Sequence, residues 1–186
     1  MDRSFRLPID CPNCAKKATL VELQRNIPHF GKALFSTISC EHCGIKFNNV
    51  FCLSNQEPTS YSAKIESEED LKTKIVRCSS STIKIPALGV TIHPTQLADG
   101  YYSNMEGLLE RVQEVVEGAQ RSADTSGSKQ NAERILKKIA KARDGKLRFT
   151  VYLEDPLGGS ALIGKKAKKL RLSEARLKQL REQMPL

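Results

Sequence analysis

The chain has 186 residues, of which 39% are hydrophobic and 27% charged, with a formal net charge of +9. That size allows a genuine core, and no apolar run approaches the ~20 residues of a bilayer-spanning helix, so a membrane protein is excluded. The N-terminal MDRSFRLPIDC lacks the apolar stretch and cleavage site of a secretory signal, which points to a reducing, cytoplasmic setting where six cysteines serve as metal ligands or free thiols.

Cys11 and Cys14 in CPNC, with Cys40 and Cys43 in CEHCG, form C-x2-C-x25-C-x2-C. Each pair can turn the backbone as a knuckle with both sulfurs on one side of a metal, and two knuckles complete a tetrahedron. Zinc is the expected ion; disulfides, free thiols or iron are the alternatives. Four thiolates leave no open coordination position, so the metal is expected to be structural. His42 sits inside the second knuckle and is read as an exposed residue there, and Cys52 and Cys78 lack paired spacing and are read as buried small side chains. Between the knuckles, TLVELQRNIPHFGKALFSTIS is β-branched and apolar around the turn NIPHFG, which predicts a hairpin and hence a zinc ribbon over residues 1–53.

SNQEPTSYS has linker composition. Beyond it, SYSAKIE predicts a strand, SEEDLKTK a short acidic turn or helix, and KIVRCSSSTIKIPALGVTIHP two or three strands broken at Ser79 to Ser81 and at Pro86. Met105, Leu108, Leu109, Val112, Val115, Val116 and Ala119 recur at helical spacing after a capping box at Ser103 to Glu106, predicting a helix over about 105–121. SADTSGS reads as a linker to a second helix with the stripe Ala132, Ile135, Leu136, Ile139 and Ala140, ending at Asp144-Gly145. The pair makes a helical hairpin at about 105–144 inside a β-rich unit over 54–164, which LRFTVYLED re-enters as a strand.

GSALIGKK, from Gly159 to Lys166, falls one residue short of the phosphate-binding pattern G-x-x-x-x-G-K-[ST]. Lys166 stands where the magnesium-holding hydroxyl belongs, Ala161 to Ile163 put apolar bulk in the loop, and too little chain follows for the βα units such a loop serves. Residues 165–186 read instead as a basic tail with a short helix capped by Ser173, with Leu177 and Leu180 on one side. Its eight Lys and Arg against Glu174 and Glu182 account for six of the nine net charges. Such a tail is an appended electrostatic contact or simply a solvated segment.

In order, CPNC, IPHFGKALF before CEHCG, SSSTIKIPALG, YYSNMEGLLERV and KLRFTVYLEDPLGGS resemble the blocks of the ZPR zinc-finger protein family, a resemblance that covers Ile9 to Ser160. It implies an α+β chain, with a four-cysteine zinc ribbon followed by a jelly-roll-like (double-stranded β-helix) domain that carries the helical hairpin. Eukaryotic members look like tandems of two such units, and this chain has one, as archaeal relatives do. The resemblance implies Cys11, Cys14, Cys40 and Cys43 as zinc ligands, translation elongation factor 1-alpha as partner, and a role in that GTPase's folding. The family's D-P-x-G-N-S turn matches Asp155, Pro156, Gly158 and Ser160, which become candidate partner contacts, while Gly159 replaces the family's Asn and Asn49 stands where a Glu is usual.

The rival reading is a nucleic-acid-binding protein using the basic tail. Against it, aromatic residues are 5% with no Trp, and no basic-aromatic interleaving suggests a stacking platform. An enzyme is not expected: His29 and His93 are isolated beside prolines, and Asp99, Glu154 and Asp155 are read as exposed or capping carboxylates. Nothing resembles a heptad, which favours a monomer.

Overall fold

The computed structural model describes residues 3–54, 57–95 and 99–184; Asn55 and Gln56 of the expected linker lie outside the described residues. The N-terminal module is one antiparallel sheet in sequential order: β1 (Arg3–Asp10), β2 (Lys17–Ile27), β3 (Gly31–Ser39) and β4 (Lys46–Cys52). The expected hairpin is β2–β3, with Asn26 opposite Lys32 and Ile27 opposite Gly31. The sequence reading passed over both outer strands. Pro8 is tolerated in β1 because β1 is an edge strand, where alternate N–H groups face away from the sheet and have no ladder bond to lose.

This meander fixes where the cysteines meet. The β1–β2 ladder ends at the Asp10–Lys17 pair and the β3–β4 ladder at the Ser39–Lys46 pair, so both knuckles emerge at one end of the sheet while the β2–β3 turn lies at the other. The sheet buries little of its own: Ile27, Ala33 and Val50 pack with Val76 of the second module, and Cys11, Ala18 and Cys40 form a second small cluster.

The second module contains β5 (Thr59–Ile65), a 3-10 turn at Glu68–Lys72, β6 (Lys74–Arg77), β7 (Thr82–Ile85), β8 (Val90–Ile92) and β9 (Tyr101–Asn104). There follow α1 (Met105–Arg121), α2 (Ser126–Arg143), β10 (Phe149–Asp155), β11 (Ala161–Ile163), β12 (Ala167–Leu170) and α3 (Glu174–Glu182). Among the described residues the strands form a five-stranded sheet, β12-β5-β10-β7-β8, and a three-stranded sheet, β11-β6-β9. Two such sheets of eight strands make the jelly-roll architecture. The helical hairpin packs its apolar stripes onto a core that includes Ile75, Ile83, Leu109, Ile139 and Val151.

Several local details differ from the sequence reading. Asn104, not Ser103, caps α1: its backbone is extended and its side chain accepts from the Gly107 N–H at 2.9 Å. α1 begins at Met105, which puts Asn104 one residue before the first helical turn, the position a cap must hold. The SADTSGS linker is shorter than expected, because Thr125 caps α2 by accepting from the Ser128 N–H and Ser126 is already helical. Ala142, not Ala140, completes the buried stripe of α2. The basic segment is stitched into the fold, since β12 pairs with β5 from Ala167 opposite Ala63 to Leu170 opposite Ser60. Ser173 caps α3 as expected, and Leu180 is buried.

Candidate metal centre and partner surface

The Sγ atoms of Cys11, Cys14, Cys40 and Cys43 all lie within 4.8 Å of one another. The closest approaches, Cys11 to Cys43 and Cys14 to Cys40, are both 3.7 Å. A tetrahedron with Zn–S bonds of about 2.3 Å has edges of roughly 3.8 Å, so these two pairs already stand at the spacing zinc requires. The site is a zinc-binding site. His42 is exposed and stands outside the group, as do Cys52 and Cys78.

The two knuckles are built alike. The Ala15 N–H donates to the Cys11 carbonyl at 2.9 Å and the Gly44 N–H to the Cys40 carbonyl at 2.9 Å. Cys11 N–H reaches Lys16 at 2.7 Å, and Cys40 N–H reaches Ile45 at 3.0 Å. Each turn needs a left-handed residue after its second cysteine: Gly44 at φ +72° in one and Ala15 at φ +57° in the other. Glycine adopts that conformation freely, whereas alanine is strained by its Cβ. Ala15→Gly therefore relieves the first knuckle and is expected to raise stability by about 0.5–1 kcal/mol, read from the denaturant midpoint of the zinc-loaded protein.

The EDPLGGS turn is built from the inside. Asp155 is fully buried, and its Oδ1 accepts from the Ser80 hydroxyl at 2.8 Å and from the Leu157 N–H at 3.0 Å. Its Oδ2 accepts from the Ser160 hydroxyl at 2.6 Å, and Ser160 Oγ in turn accepts from the Cys78 N–H at 2.9 Å. Pro156, Gly158 and Ser160 are buried as well, so the candidate contacts Asp155, Pro156, Gly158 and Ser160 shape the turn from within, and Leu157, 56% exposed, is the residue it presents. Neither the motif nor its spacing marks Leu157; only the enclosure of its neighbours does.

Burial pushes the Cys78 thiol up to about 12, so it remains protonated and donates to the Gly159 carbonyl at 2.9 Å. A Cβ on residue 159 would meet Cys78 Sγ at 2.9 Å, closer than side chains tolerate. The thiol thus occupies the space that an asparagine at 159 would need, and the departure from the family motif has a steric cause. Gly159→Ala is expected to cost about 1–3 kcal/mol, most of it recovered when Cys78→Ala is added; chemical denaturation of the single and double variants checks the coupling.

The near-match to a phosphate loop is a strand and a salt bridge. Ala161 to Ile163 pair with β6, and Lys166 Nζ lies 2.7 Å from Asp70 Oδ2 and 2.9 Å from Glu66 Oε2. The hydrogen bond from Lys166 holds the Asp70 carboxyl down at about 2. Arg176 grips Glu154 with Nε at 2.9 Å and Nη2 at 2.7 Å, while Lys84 reaches the same carboxylate at 2.8 Å. Burial opposes ionisation of Glu154, but Arg176 and Lys84 together hold its carboxyl below the ordinary range. The three carboxylates weighed as acid catalysts are engaged in the fold, since Asp99 Oδ1 also accepts from the Asn48 N–H at 3.1 Å. Lys165, Lys168, Lys169, Arg171, Lys178 and Arg181 are exposed.

Phe51, 47% exposed, and Leu157 share with Val50, Cys52, Ser79 and Ser80 a cleft of about 330 Å³ at the junction of the two modules. A ribbon whose four cysteines gather at one end of its sheet, joined to a jelly roll, defines a zinc-ribbon protein. The chain belongs to the ZPR1 zinc-finger family: residues 5–55 match the ZPR1 zinc-finger domain and residues 69–184 the ZPR1 jelly-roll domain. It is 44% identical over 176 residues to a ZPR1-like protein of Methanocaldococcus jannaschii, covering 94% of this chain and 89% of that one. To a ZPR1-like protein of Pyrococcus horikoshii it is 40% identical, covering 92% and 79%. The zinc finger chaperone zpr1 of Schizosaccharomyces pombe is 30% identical over 158 residues, 82% of this chain but 34% of the yeast protein, so the chain spans about a third of that relative.

Proposed function

We propose that this protein is a non-enzymatic, cytoplasmic factor that binds translation elongation factor 1-alpha and assists its folding or maturation. The observation that carries this reading is the presentation of Leu157: a fully buried carboxylate and two buried serines hold one large apolar side chain in solvent, beside exposed Phe51 across the module junction. Membership of a family that includes a protein named as a chaperone supports a polypeptide client for that surface. Asp155, Pro156, Gly158 and Ser160 act as positioning residues for the contact, and the zinc held by Cys11, Cys14, Cys40 and Cys43 keeps Phe51 on a folded strand. Differential affinity for one conformer of the GTPase would stabilise it, and nucleotide binding or hydrolysis by the partner would release it.

The test is capture of purified elongation factor 1-alpha by the zinc-loaded protein in GDP and in GTP. Capture is expected to depend on the nucleotide and to fall about tenfold or more in Phe51→Glu and Leu157→Glu, both of which change exposed side chains. Capture of nucleic acid without the GTPase, insensitive to nucleotide and with a log–log salt slope of about −5, would assign the work to the exposed basic residues of the C-terminal segment instead. Capture of the GTPase unaltered by either variant moves the contact off the junction.

A further inference from the structure

Cys52 and Cys78 take no part in the zinc centre, one belongs to each module, and they meet at the seam. Val50 and Val76 pack together there. Cys52 lies two residues beyond Val50 on the same face of β4, and Cys78 two residues beyond Val76, just past the end of β6. Val50, Cys52 and Cys78 all line the junction cleft.

The backbone directs the two residues at each other. The Leu53 N–H donates to the Lys32 carbonyl at 2.9 Å, which commits that side of β4 to β3. Successive N–H groups of a strand point to opposite edges, so the Cys52 N–H leaves β4 on its outer edge, and the Cys78 sulfur accepts a hydrogen bond from the Cys52 backbone. The Cys52 sulfur hangs from the same residue, and rotation about χ1 alone sweeps it through the space beside that amide. The two thiols have different surroundings: Cys52 is half-buried on the cleft wall, whereas Cys78 is 7% exposed and donates to the Gly159 carbonyl. Cys52 is therefore the sulfur a reagent in the cleft meets first, and Cys78 is the sulfur behind it.

We propose that Cys52 and Cys78 are a cross-linking site, at which exchange with a small organic disulfide joins their sulfurs and fastens β4 of the ribbon to the end of β6. The Cys52 thiolate attacks one sulfur of the reagent, forming a mixed disulfide and expelling one thiolate. Cys78 then loses its proton and attacks Cys52 Sγ, expelling the second thiolate. Two protein thiols lose two electrons and two protons, and the reagent leaves as two thiols. Burial, the largest cause of the raised Cys78 pKa, makes its attack slow and makes it a poor leaving group, so the bond forms slowly and resists reduction. The site is defined by the seam and does not rest on the elongation-factor reading.

The experiment incubates the full zinc-loaded chain with oxidised glutathione, digests it with trypsin without reduction, and measures fragment masses and zinc content. The expected product has lost two hydrogens per chain and kept its zinc, with fragments 47–64 and 78–84 released as one linked species. Cys78→Ala is expected to stop at a glutathione mixed disulfide on Cys52, and Cys52→Ala to give neither product. The cross-linked chain is expected to melt several degrees above the reduced one, since the bond closes the loop between residues 52 and 78. The inference is overturned by a native chain that stops at the mixed disulfide or does not react at Cys52. Linkage of either cysteine to a metal ligand with release of zinc, or a cross-linked form that melts below the reduced one, overturns it equally.

Discussion

Stripping zinc with a chelator is expected to unfold β1 to β4 while the jelly roll keeps its core. The ribbon's two buried clusters are small and one consists largely of the metal ligands themselves, so burial alone cannot hold four strands together. Four thiolates at tetrahedral spacing supply the missing free energy, of order 10–16 kcal/mol in apparent terms for structural zinc. The second module has its own core from Ala63 to Leu162 that contains none of the four metal ligands. Hydrogen exchange reads the outcome directly: amides of the β2–β3 ladder lose protection on chelation, and those of Ile83, Leu109 and Val151 retain most of theirs. Cys11→Ser and Cys40→Ser should behave as the chelated protein does. Full protection of the β2–β3 ladder after complete metal removal would refute a structural role for zinc.

Asp155→Ala is expected to destabilise the second module by at least about 3 kcal/mol. The substitution leaves the Ser80 and Ser160 hydroxyls and the Leu157 N–H facing an apolar methyl inside the protein, and each orphaned donor costs roughly 1–3 kcal/mol. Loss of the Ser160 anchor also loosens the Cys78 N–H, which ties the turn to the end of β6. For a chain of this length that corresponds to a melting temperature lower by about 6–12 °C. Asp155→Asn, which can still accept one or two of these bonds, should lie between the two. A loss of partner binding in Asp155→Ala with unchanged melting temperature would return Asp155 to the surface role its motif first suggested.

The zinc centre was fully legible because its information is local: each ligand pair lies within one tight turn, and the spacing is the chemistry. The helices were legible because a stripe such as Met105, Leu108, Leu109 and Val112 repeats many times within one element. β1, β4 and β12 were not, since a short strand such as Ala167–Leu170, with two lysines and no alternation of burial, is defined by the β5 edge it completes. The turn was legible as a motif but read inside out, because its polar residues face Ser80 and Cys78, distant in sequence. Arg77, buried at the end of β6, carried no signal for the same reason. It pairs with Tyr101 across β6 and β9 and lies 5.7 Å from the centre of that ring, a contact between residues far apart in sequence.

The seam between the modules is closed with the chain's own groups: the Gly100 N–H donates to the Asn48 carbonyl at 3.0 Å, Asn48 N–H to Asp99, and Phe35, Val50, Val76 and Ile163 fill the space beside them. A ribbon and barrel joined in this way travel as one cassette. Such a cassette can be copied within a longer polypeptide, or lodged in one about three times its length as in the yeast relative, without any new surface being invented to hold its halves together.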